Sequence, residues 1–198
     1  MEKQSALTLM KNHIREMESI SDEDFKLLGS FFSYLVMKKK EYFARQDEVC
    51  KQFAFVASGC LRAFNVDGKG DEYTIYFAFK DWWIGDKTSF YSNTPARFNT
   101  QALEETELLV CNQTNWERAL NEISSFEKWY RIKTRKSYEA TQQKLIETHT
   151  ESAEEKYLKL LKNSPEIVQR IPQHYIASYL GIKPQSLSRI RKNIFSKK

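Results

Sequence analysis

The spacing of apolar residues divides the chain into a helical start, a central β-prone region and a helical C-terminal part. Near the start, an apolar stripe at helical spacing predicts an amphipathic helix, and its members are Leu7, Met10, Ile14 and Met17. Ser21 precedes a run of carboxylates and resembles an N-cap. Because carboxylates suit the first turn of a helix, a second helix is expected to begin directly after Ser21.

Between about Val36 and Asn112 the pattern changes to short β-prone runs, with turn signals about every 8–12 residues. The pair Asp67-Gly68 stands between two such runs and is a strong signal for a β-hairpin. In the run that follows, alternation predicts two faces, one with Tyr73, Ile75, Phe77 and Phe79 and the other with Thr74, Tyr76 and Ala78. Many short antiparallel strands without helices between them predict a sandwich or barrel.

From Asn115 the helical spacing returns, and no glycine occurs between Gly85 and Gly181. A single helix is therefore predicted from near Ser125 to near His149, which is longer than most helices of globular proteins. Its apolar stripe consists of Phe126, Trp129, Tyr130, Ile132, Tyr138, Leu145 and Ile146. Because this stripe outlasts any one small domain, pairing with a second copy is the favoured interpretation. Packing of the whole helix on its own β-region is the alternative.

The helical pattern breaks around residues 149–151, which predicts a hinge and a domain boundary. Ser152 and Glu155 then stand at the spacing of a capping box, so a new helix is expected there. Pro165 follows Asn163-Ser164, which predicts the end of that helix.

Charge is distributed unevenly along the chain. Residues 171–198 contain six basic side chains and no acidic one, out of 31 Lys+Arg and 26 Asp+Glu in total. The other 170 residues therefore carry 25 basic against 26 acidic side chains, and the net charge of +5 arises entirely from the C-terminal segment. Such asymmetry is typical of a protein that contacts a polyanion, most often nucleic acid. A solvated basic tail would give the same charge pattern.

The basic segment also has the spacing of a helix-turn-helix motif over residues 173–190. Gly181 would supply a positive φ in the turn, and Pro184 suits the first position of the second helix. The small Ala177 would let the helices cross closely, and the apolar residues between them are Ile176, Leu180, Ile182, Leu187 and Ile190. The outer face would present Gln185, Ser186, Arg189 and Lys192, residue types that read base edges or phosphates in a major groove. A helical hairpin that merely packs is the alternative.

Four segments together resemble a known family: FVASGCLR (55–62), Gly85-Asp86, ALEETEL (102–108) and SRIRK (188–192). They resemble the CRP/FNR family of bacterial transcription regulators, and the resemblance covers nearly the whole chain. It implies an α+β fold in which an antiparallel, cyclic-nucleotide-binding-like β-roll (jelly-roll) precedes a long dimerisation helix and a helix-turn-helix domain. We accordingly predict the sensor domain in residues 1–115, the dimer helix in 116–150 and the DNA-binding domain in 151–198. Because the sequence stops six residues after Lys192, the wing of that domain is expected to be reduced.

The resemblance also assigns residues to DNA, with Gln185, Ser186 and Arg189 expected to contact bases. Beside them, Lys183, Ser188, Arg191 and Lys192 are expected to hold backbone phosphates. At the start of the first motif helix, His174 is expected to contact a phosphate, and Gln173 is expected to contact DNA. The family member that binds cyclic AMP has Arg and Glu where Pro184 and Gln185 stand, so a different operator sequence is expected. The expected partners are double-stranded DNA, a second copy of the chain, RNA polymerase and an unidentified small-molecule effector. No membrane partner is expected.

A cyclic-nucleotide pocket needs a cation for the phosphate and a carboxylate for the ribose. The family supplies these groups from a Gly-Glu pair and a later Arg-Ser pair, whereas Gly85-Asp86 offers a shorter carboxylate here. Arg97 stands one position late, which in a strand turns a side chain to the opposite face, and Phe98 replaces a small residue. We therefore expect no cofactor, and cyclic AMP in particular is not expected to bind. These four residues are the candidate effector pocket, and an ordinary surface pair of Asp86 and Arg97 is the alternative.

Other chemistries find no support in the sequence, and no enzymatic activity is expected. The three cysteines are too few for a four-ligand iron–sulfur cluster, and the three histidines show no metal-ligand spacing. With no expected signal peptide and no disulfide framework, a cytoplasmic location is predicted. The prediction is thus a homodimeric DNA-binding transcription regulator with a degenerate effector domain. The alternative is a ligand-sensing or protein-interaction β-roll that does not bind DNA directly, and in the ligand-sensing version the β-roll would bias the hinge.

Overall fold

The computed structural model describes residues 2–196, apart from the side chain of Phe195. The helices are α1 (Lys3–Arg15), α2 (Asp22–Ser30), α3 (Lys87–Ser92), α4 (Gln113–Glu122), α5 (Ser124–Thr150), α6 (Ala153–Asn163), α7 (Pro165–Arg170), α8 (Gln173–Tyr179) and α9 (Pro184–Phe195). The strands are β1 (Ser33–Met37), β2 (Tyr42–Ala44), β3 (Gln52–Ser58), β4 (Leu61–Val66), β5 (Glu72–Ala78), β6 (Trp83–Ile84), β7 (Asn99–Ala102) and β8 (Thr106–Asn112). The Ser21 hydroxyl accepts a hydrogen bond from the backbone N–H of Asp24 at 3.0 Å, which confirms the predicted N-cap of α2.

Two four-stranded sheets form the central β-roll, with strand orders β1-β8-β3-β6 and β2-β7-β4-β5. All pairings are antiparallel among the residues described, as the short alternating runs predict. Small and branched side chains fill the space between the sheets, namely Ala54, Val56, Leu61, Ala78, Ile84, Ala102 and Leu108. A second core joins α1 and α2 to β3, β8, α4 and the first turns of α5. In the described part of the chain, no strand follows β8 and no helix has the length and apolar character that crossing a bilayer requires.

The predicted alternation along β5 is wrong at one place. Ala63 pairs with Tyr76 but Phe64 pairs with Thr74, so Ile75 is an extra residue opposite β4. Such a bulge interrupts the alternation of the strand. Thr74 is consequently buried while Tyr73 and Ile75 are exposed, whereas Phe77 and Phe79 stay buried as predicted.

The long predicted helix is confirmed as α5, which runs for 27 residues. The segment assigned to it from residue 116 differs, because α4 ends at Glu122 and an extended Ile123 separates the two helices. Phe126 and Trp129 bury the start of α5 against the β-roll. Further along α5, the rest of the chain no longer covers the apolar stripe, and Tyr138, Leu145 and Ile146 are all exposed.

The C-terminal helices form a compact unit that packs against the β-roll. Ser152 and Glu155 make the predicted capping box, since each side chain accepts a hydrogen bond from the other residue's backbone N–H. One apolar cluster joins Cys60, Phe77 and Phe79 of the β-roll to Tyr157, Leu160, Ile167, Ile171, Ile176, Ala177, Leu180 and Leu187 of α6–α9 and the turns between them. The C-terminal unit therefore shares its core with the outer face of the β4–β5 sheet.

Candidate nucleic-acid interface

Helices α8 and α9 and the turn between them form a helix-turn-helix. Gly181 has φ +70°, which confirms the positive φ expected in the turn. The turn is closed by a hydrogen bond of 3.0 Å that the backbone N–H of Ile182 donates to the carbonyl of Ala177. Pro184 is the first residue of α9, where its missing N–H removes no helical hydrogen bond.

The two faces of α9 differ as the sequence predicts. Leu187 is fully buried, and Ile190 and Ile194 pack against the same C-terminal core. The opposite side carries the exposed residues Gln185, Ser188, Arg189 and Lys192, with Ser186 half-buried beside them. Since residues three, four and seven apart lie on one face of a helix, these polar side chains form a continuous outer surface.

The groups beside α9 extend this surface. Gln173 and His174 are exposed at the start of α8, and Lys183 is exposed in the turn just before α9. No described side chain caps the N-terminus of α9. A helix N-terminus carries a partial positive charge and free N–H groups, so it favours a phosphate at that end.

The outer surface of α9 is positively charged without compensation. Residues 171–196 contain no acidic side chain. Among the described residues, Lys183, Arg189 and Lys192 form no ion pair. The positive field is therefore available to an anionic partner.

Arg191 lies differently from the other residues assigned to phosphates. It is half-buried, and its Nε is buried without a hydrogen-bond partner among the described residues. Burial raises the pKa of the Tyr157 hydroxyl, and the charge of Arg191 opposes that rise, so the guanidinium lies near the C-terminal core. The structure thus does not bring Arg191 together with Arg189 and Lys192 on the outer surface, and its phosphate contact stays a prediction.

At the candidate effector position, the carboxylate of Asp86 is buried and saturated with hydrogen bonds. It accepts the backbone N–H groups of Thr88 at 3.0 Å and Ser89 at 3.2 Å, which caps α3. It also accepts the backbone N–H of Arg97 at 2.9 Å and two guanidinium N–H groups at 3.2 and 3.3 Å. Burial alone would raise the pKa of Asp86, but the hydrogen bonds from Arg97 and Ser89 outweigh it and hold the pKa below its ordinary value.

This arrangement corrects two expectations. A helix, α3, stands between strands β6 and β7, because Asp86 acts as its N-cap. The alternative of an ordinary surface pair is also wrong, since the side chain of Asp86 is fully buried although that of Arg97 is 67% exposed. Phe98 is half-buried and contacts the ring of Tyr76 edge to face, with 6.1 Å between ring centroids. Gly85 has φ +139°, and a side chain there would meet Phe53, so the turn that presents Asp86 needs glycine.

The sequence gives no sign of the residues that hold the C-terminal unit on the β-roll, chiefly Arg62, Lys144, Tyr175 and Ser178. Arg62 is 1% exposed although it lies in a strand on the outer face of the β-roll. An arginine within a β-prone run gives no periodic signal, so only the fold reveals its partners.

Comparison with known proteins agrees with this geometry. Residues 35–122 match the family model of the cyclic nucleotide-binding domain. Among solved structures, the chain is similar to the c-di-GMP-responsive global regulator CLP of Xanthomonas campestris, with 12% identity, coverage of 89% of this chain and 93% of that one, and a TM-score of 0.72. It is also similar to FixK2 from Bradyrhizobium japonicum, with 15% identity, coverage of 84% and 85%, and a TM-score of 0.68.

A third similar structure is a protein from Eubacterium rectale assigned to the CRP/FNR family of transcriptional regulators, with 15% identity, coverage of 90% and 85%, and a TM-score of 0.69. A search of curated proteins finds no match to the sequence. At these identities the likeness shows the fold alone, and it confirms the predicted order of an antiparallel β-roll followed by helices.

Proposed function

We propose that this chain, in which residues 35–122 form a cyclic nucleotide-binding-type domain within a CRP/FNR-type fold, is a homodimeric, sequence-specific DNA-binding regulator of transcription that acts in the cytoplasm. One observation carries the proposal: α9 buries its apolar face and exposes Gln185, Arg189 and Lys192 along the other. A helix with these side chains free can lie in the major groove, where base edges are distinguishable.

The side chains assigned to DNA divide into two roles. Gln185 and Arg189, one turn apart, are the groups that read bases, because glutamine matches the edge of adenine and arginine that of guanine. Ser186 lies beside them and completes the base contacts. Lys183, Ser188, Lys192, Arg191, Gln173 and His174 are the proposed phosphate contacts, which position the protein without specifying sequence.

The homodimer is supported by the second half of α5. Tyr138, Leu145 and Ile146 occur at i, i+7 and i+8, so they share one side of the helix, and they are 63%, 60% and 56% exposed. Three large apolar side chains on one exposed helical surface favour a covering partner, and the same helix of a second copy matches it by symmetry. The two recognition helices would then meet half-sites one helical turn apart, about 34 Å.

The effector domain is proposed to be degenerate. A cyclic nucleotide would need the Arg97 guanidinium for its phosphate and the Asp86 carboxylate for its ribose. In this structure the guanidinium donates two hydrogen bonds to the carboxylate, which also accepts the backbone N–H of Arg97 and caps α3. Binding a nucleotide there would have to break a charge-assisted pair whose carboxylate is buried, which opposes affinity. We assign the binding of an effector, and contact with RNA polymerase, to other surfaces of the chain.

Selection of bound sites from random duplexes tests the DNA-binding proposal directly. The selected sites should be near-palindromes, and affinity should fall steeply with salt because phosphate contacts release counterions. The variant R189A should lose about 1–3 kcal/mol of binding free energy and relax one base position in each half-site. The matched control R118A removes an exposed arginine that pairs with Glu122 on α4 and should bind like the wild type.

Two results would contradict the proposal. If R189A kept the full affinity and selectivity of the wild type, α9 would not be the helix that reads bases. A flat salt response, with no sequence enriched in the selection, would instead favour the alternative of a β-roll that binds a ligand or another protein without DNA.

A further inference from the structure

Helix α8 lies against the free edge of a β-sheet. Strand β5 is the last strand of the sheet β2-β7-β4-β5, so one side of its backbone has no strand partner. The Ser178 hydroxyl on α8 accepts the backbone N–H of Thr74 at 2.9 Å and donates to the carbonyl of Glu72 at 2.7 Å. One side chain thus satisfies both a donor and an acceptor of the edge strand, which would otherwise need water or another chain.

Arg62 of β4 is the buried centre of the same contact. Its Nε donates to the Thr74 hydroxyl at 2.8 Å, and an Nη donates to the Glu72 carboxylate at 2.5 Å. The guanidinium also lies over the ring of Phe64 at 4.2 Å and over the ring of Tyr175 on α8 at 4.0 Å. A planar, delocalised cation can make in-plane hydrogen bonds and stack on rings together, which lysine cannot do.

Two further contacts fix α8 and its surroundings relative to the β-roll and the long helix. Lys144 of α5 donates to the carbonyl of Ile75 at 2.5 Å and lies over the ring of Tyr179 at 4.3 Å. Burial lowers the pKa of Lys144 to about 8. Arg170 pairs with Glu104 at the other end of the cluster. The motif is therefore tied to both the β-roll and the dimer helix.

The docked position leaves the DNA-contacting surface free. Tyr175, Ser178 and Tyr179 are the docking residues of α8. The reading residues Gln185 and Arg189 on α9 remain exposed in the same structure. Docking consequently orients the recognition helix and does not cover it.

We propose that the β4–β5 hairpin is a docking platform that holds the recognition helix at a fixed orientation to the dimer helix, with Arg62 and Ser178 as positioning residues. The inference rests on the proposed function, because orientation matters when two recognition helices must reach two half-sites at once. A pre-oriented pair binds a palindrome without first losing the rotational freedom of each domain. Binding to an isolated half-site needs no such alignment.

The first arm of the test measures docking without DNA. Exchange of the Thr74 amide hydrogen is followed in the full-length protein, since in the docked state that N–H is bonded to Ser178. In S178A, which removes the acceptor itself, exchange should be about tenfold faster, the equivalent of one lost hydrogen bond. In Y175L, which removes the ring that Arg62 stacks on, weaker docking should raise the exchange rate as well. The controls are S92A, which removes an exposed serine hydroxyl at the end of α3, and Y175F, which keeps the ring that Arg62 stacks on. Substitution is made on α8 because removing Arg62 would also disturb β4 and β5.

The second arm measures affinity for the selected duplex with two half-sites and for a duplex with one. S178A and Y175L should lose about tenfold in affinity for the two-site duplex and change less than about twofold on the single site. Both controls should bind like the wild type on both duplexes.

The two arms separate the failure of this inference from that of the proposed function. Unchanged Thr74 exchange in both variants would show that α8 does not dock as described. Faster exchange with unchanged two-site affinity would show docking without a positioning role. A gain in affinity would identify the docked state as inhibitory, which also overturns the inference. A wild-type protein that binds no duplex would refute the proposed function while the exchange measurement still reports on docking.

Discussion

Replacing Asp86 by alanine tests whether the candidate effector position is a structural clamp. The Asp86 side chain is fully buried and accepts hydrogen bonds from two N–H groups of the first turn of α3 and from the backbone and guanidinium of Arg97. The variant D86A removes all of these acceptors at once. A residue kept for ligand binding would lose affinity for its ligand, whereas a clamp loses folding stability.

The structure sets the size of the effect. Loss of the N-cap of α3 costs about 1 kcal/mol. The backbone N–H of Arg97 loses its acceptor as well, at about 1–3 kcal/mol for a donor left unsatisfied. We therefore expect D86A to lower the free energy of unfolding by about 2–4 kcal/mol. R97A should cost no more than about 1 kcal/mol, because its guanidinium is 67% exposed and its backbone N–H still reaches Asp86.

Urea unfolding of the wild type, D86A, R97A and D86N checks these values. The folded-state pKa of Asp86 lies below its ordinary value, so its ionisation adds stability that is present above the ordinary pKa. That stability is lost as the pH falls through the lowered pKa, since the folded protein must then take up the proton. The deficit of D86N relative to the wild type should accordingly shrink between about pH 5 and pH 3. A cost of D86A below that of R97A, or a deficit of D86N that grows in acid, would refute the clamp.

Three further outcomes are expected. L145E should shift the protein from dimer to monomer in sedimentation velocity, whereas L158E, the same change at an exposed leucine of α6, should leave the dimer intact. If L145E stayed dimeric, this surface of α5 would not be the dimer interface. G181A should cost about 1–2 kcal/mol of unfolding free energy, because φ is +70° and the surrounding space is open. G59A should cost more, since its Cβ would lie 2.5 Å from the carbonyl oxygen of Glu105, and equal costs in urea unfolding would contradict this reasoning. Cyclic AMP, cyclic GMP and cyclic di-GMP should leave the melting temperature unchanged, and a rise with any of them would show that the Asp86–Arg97 pair opens for a ligand.

Local signals were sufficient for much of the fold. The N-cap at Ser21, the capping box at Ser152 and the turn at Gly181 each depend on neighbours within a few residues, and each is confirmed by its own hydrogen bonds or φ. The helix predicted from near Ser125 to near His149 agrees with α5 to within one residue at each end, because no glycine or proline interrupts that segment. The exposed outer surface of α9 follows from its period and its lack of acidic residues.

Features that depend on distant residues were not predictable in the same way. The bulge at Ile75 is defined by the register against β4, so the alternation of β5 alone gives the wrong face for Thr74. Asp86 stands before Lys87-Thr88-Ser89 as an N-cap residue can, but the resemblance to the family's Gly-Glu pair favoured a ligand-binding role for it over a capping role. Arg62 resembles any strand residue in the sequence, because Tyr175, the α8 residue whose ring covers it, is far away along the chain.

Part of the candidate effector position adjoins the sheet of the docking platform, because Arg97 and Phe98 come directly before β7. The carbonyl of Arg97 accepts a hydrogen bond from the Asn65 side chain of β4 at 2.8 Å, and Gln101 of β7 pairs with Arg62. The backbone of Arg97 thus contacts β4 directly, and Arg62 of β4 contacts α8 through the ring of Tyr175. This chain of contacts is separate from the break between α5 and α6, where a hinge is predicted. The clamp predicted at Asp86 and the platform proposed at β4–β5 are therefore compatible, because both require this sheet to keep its shape.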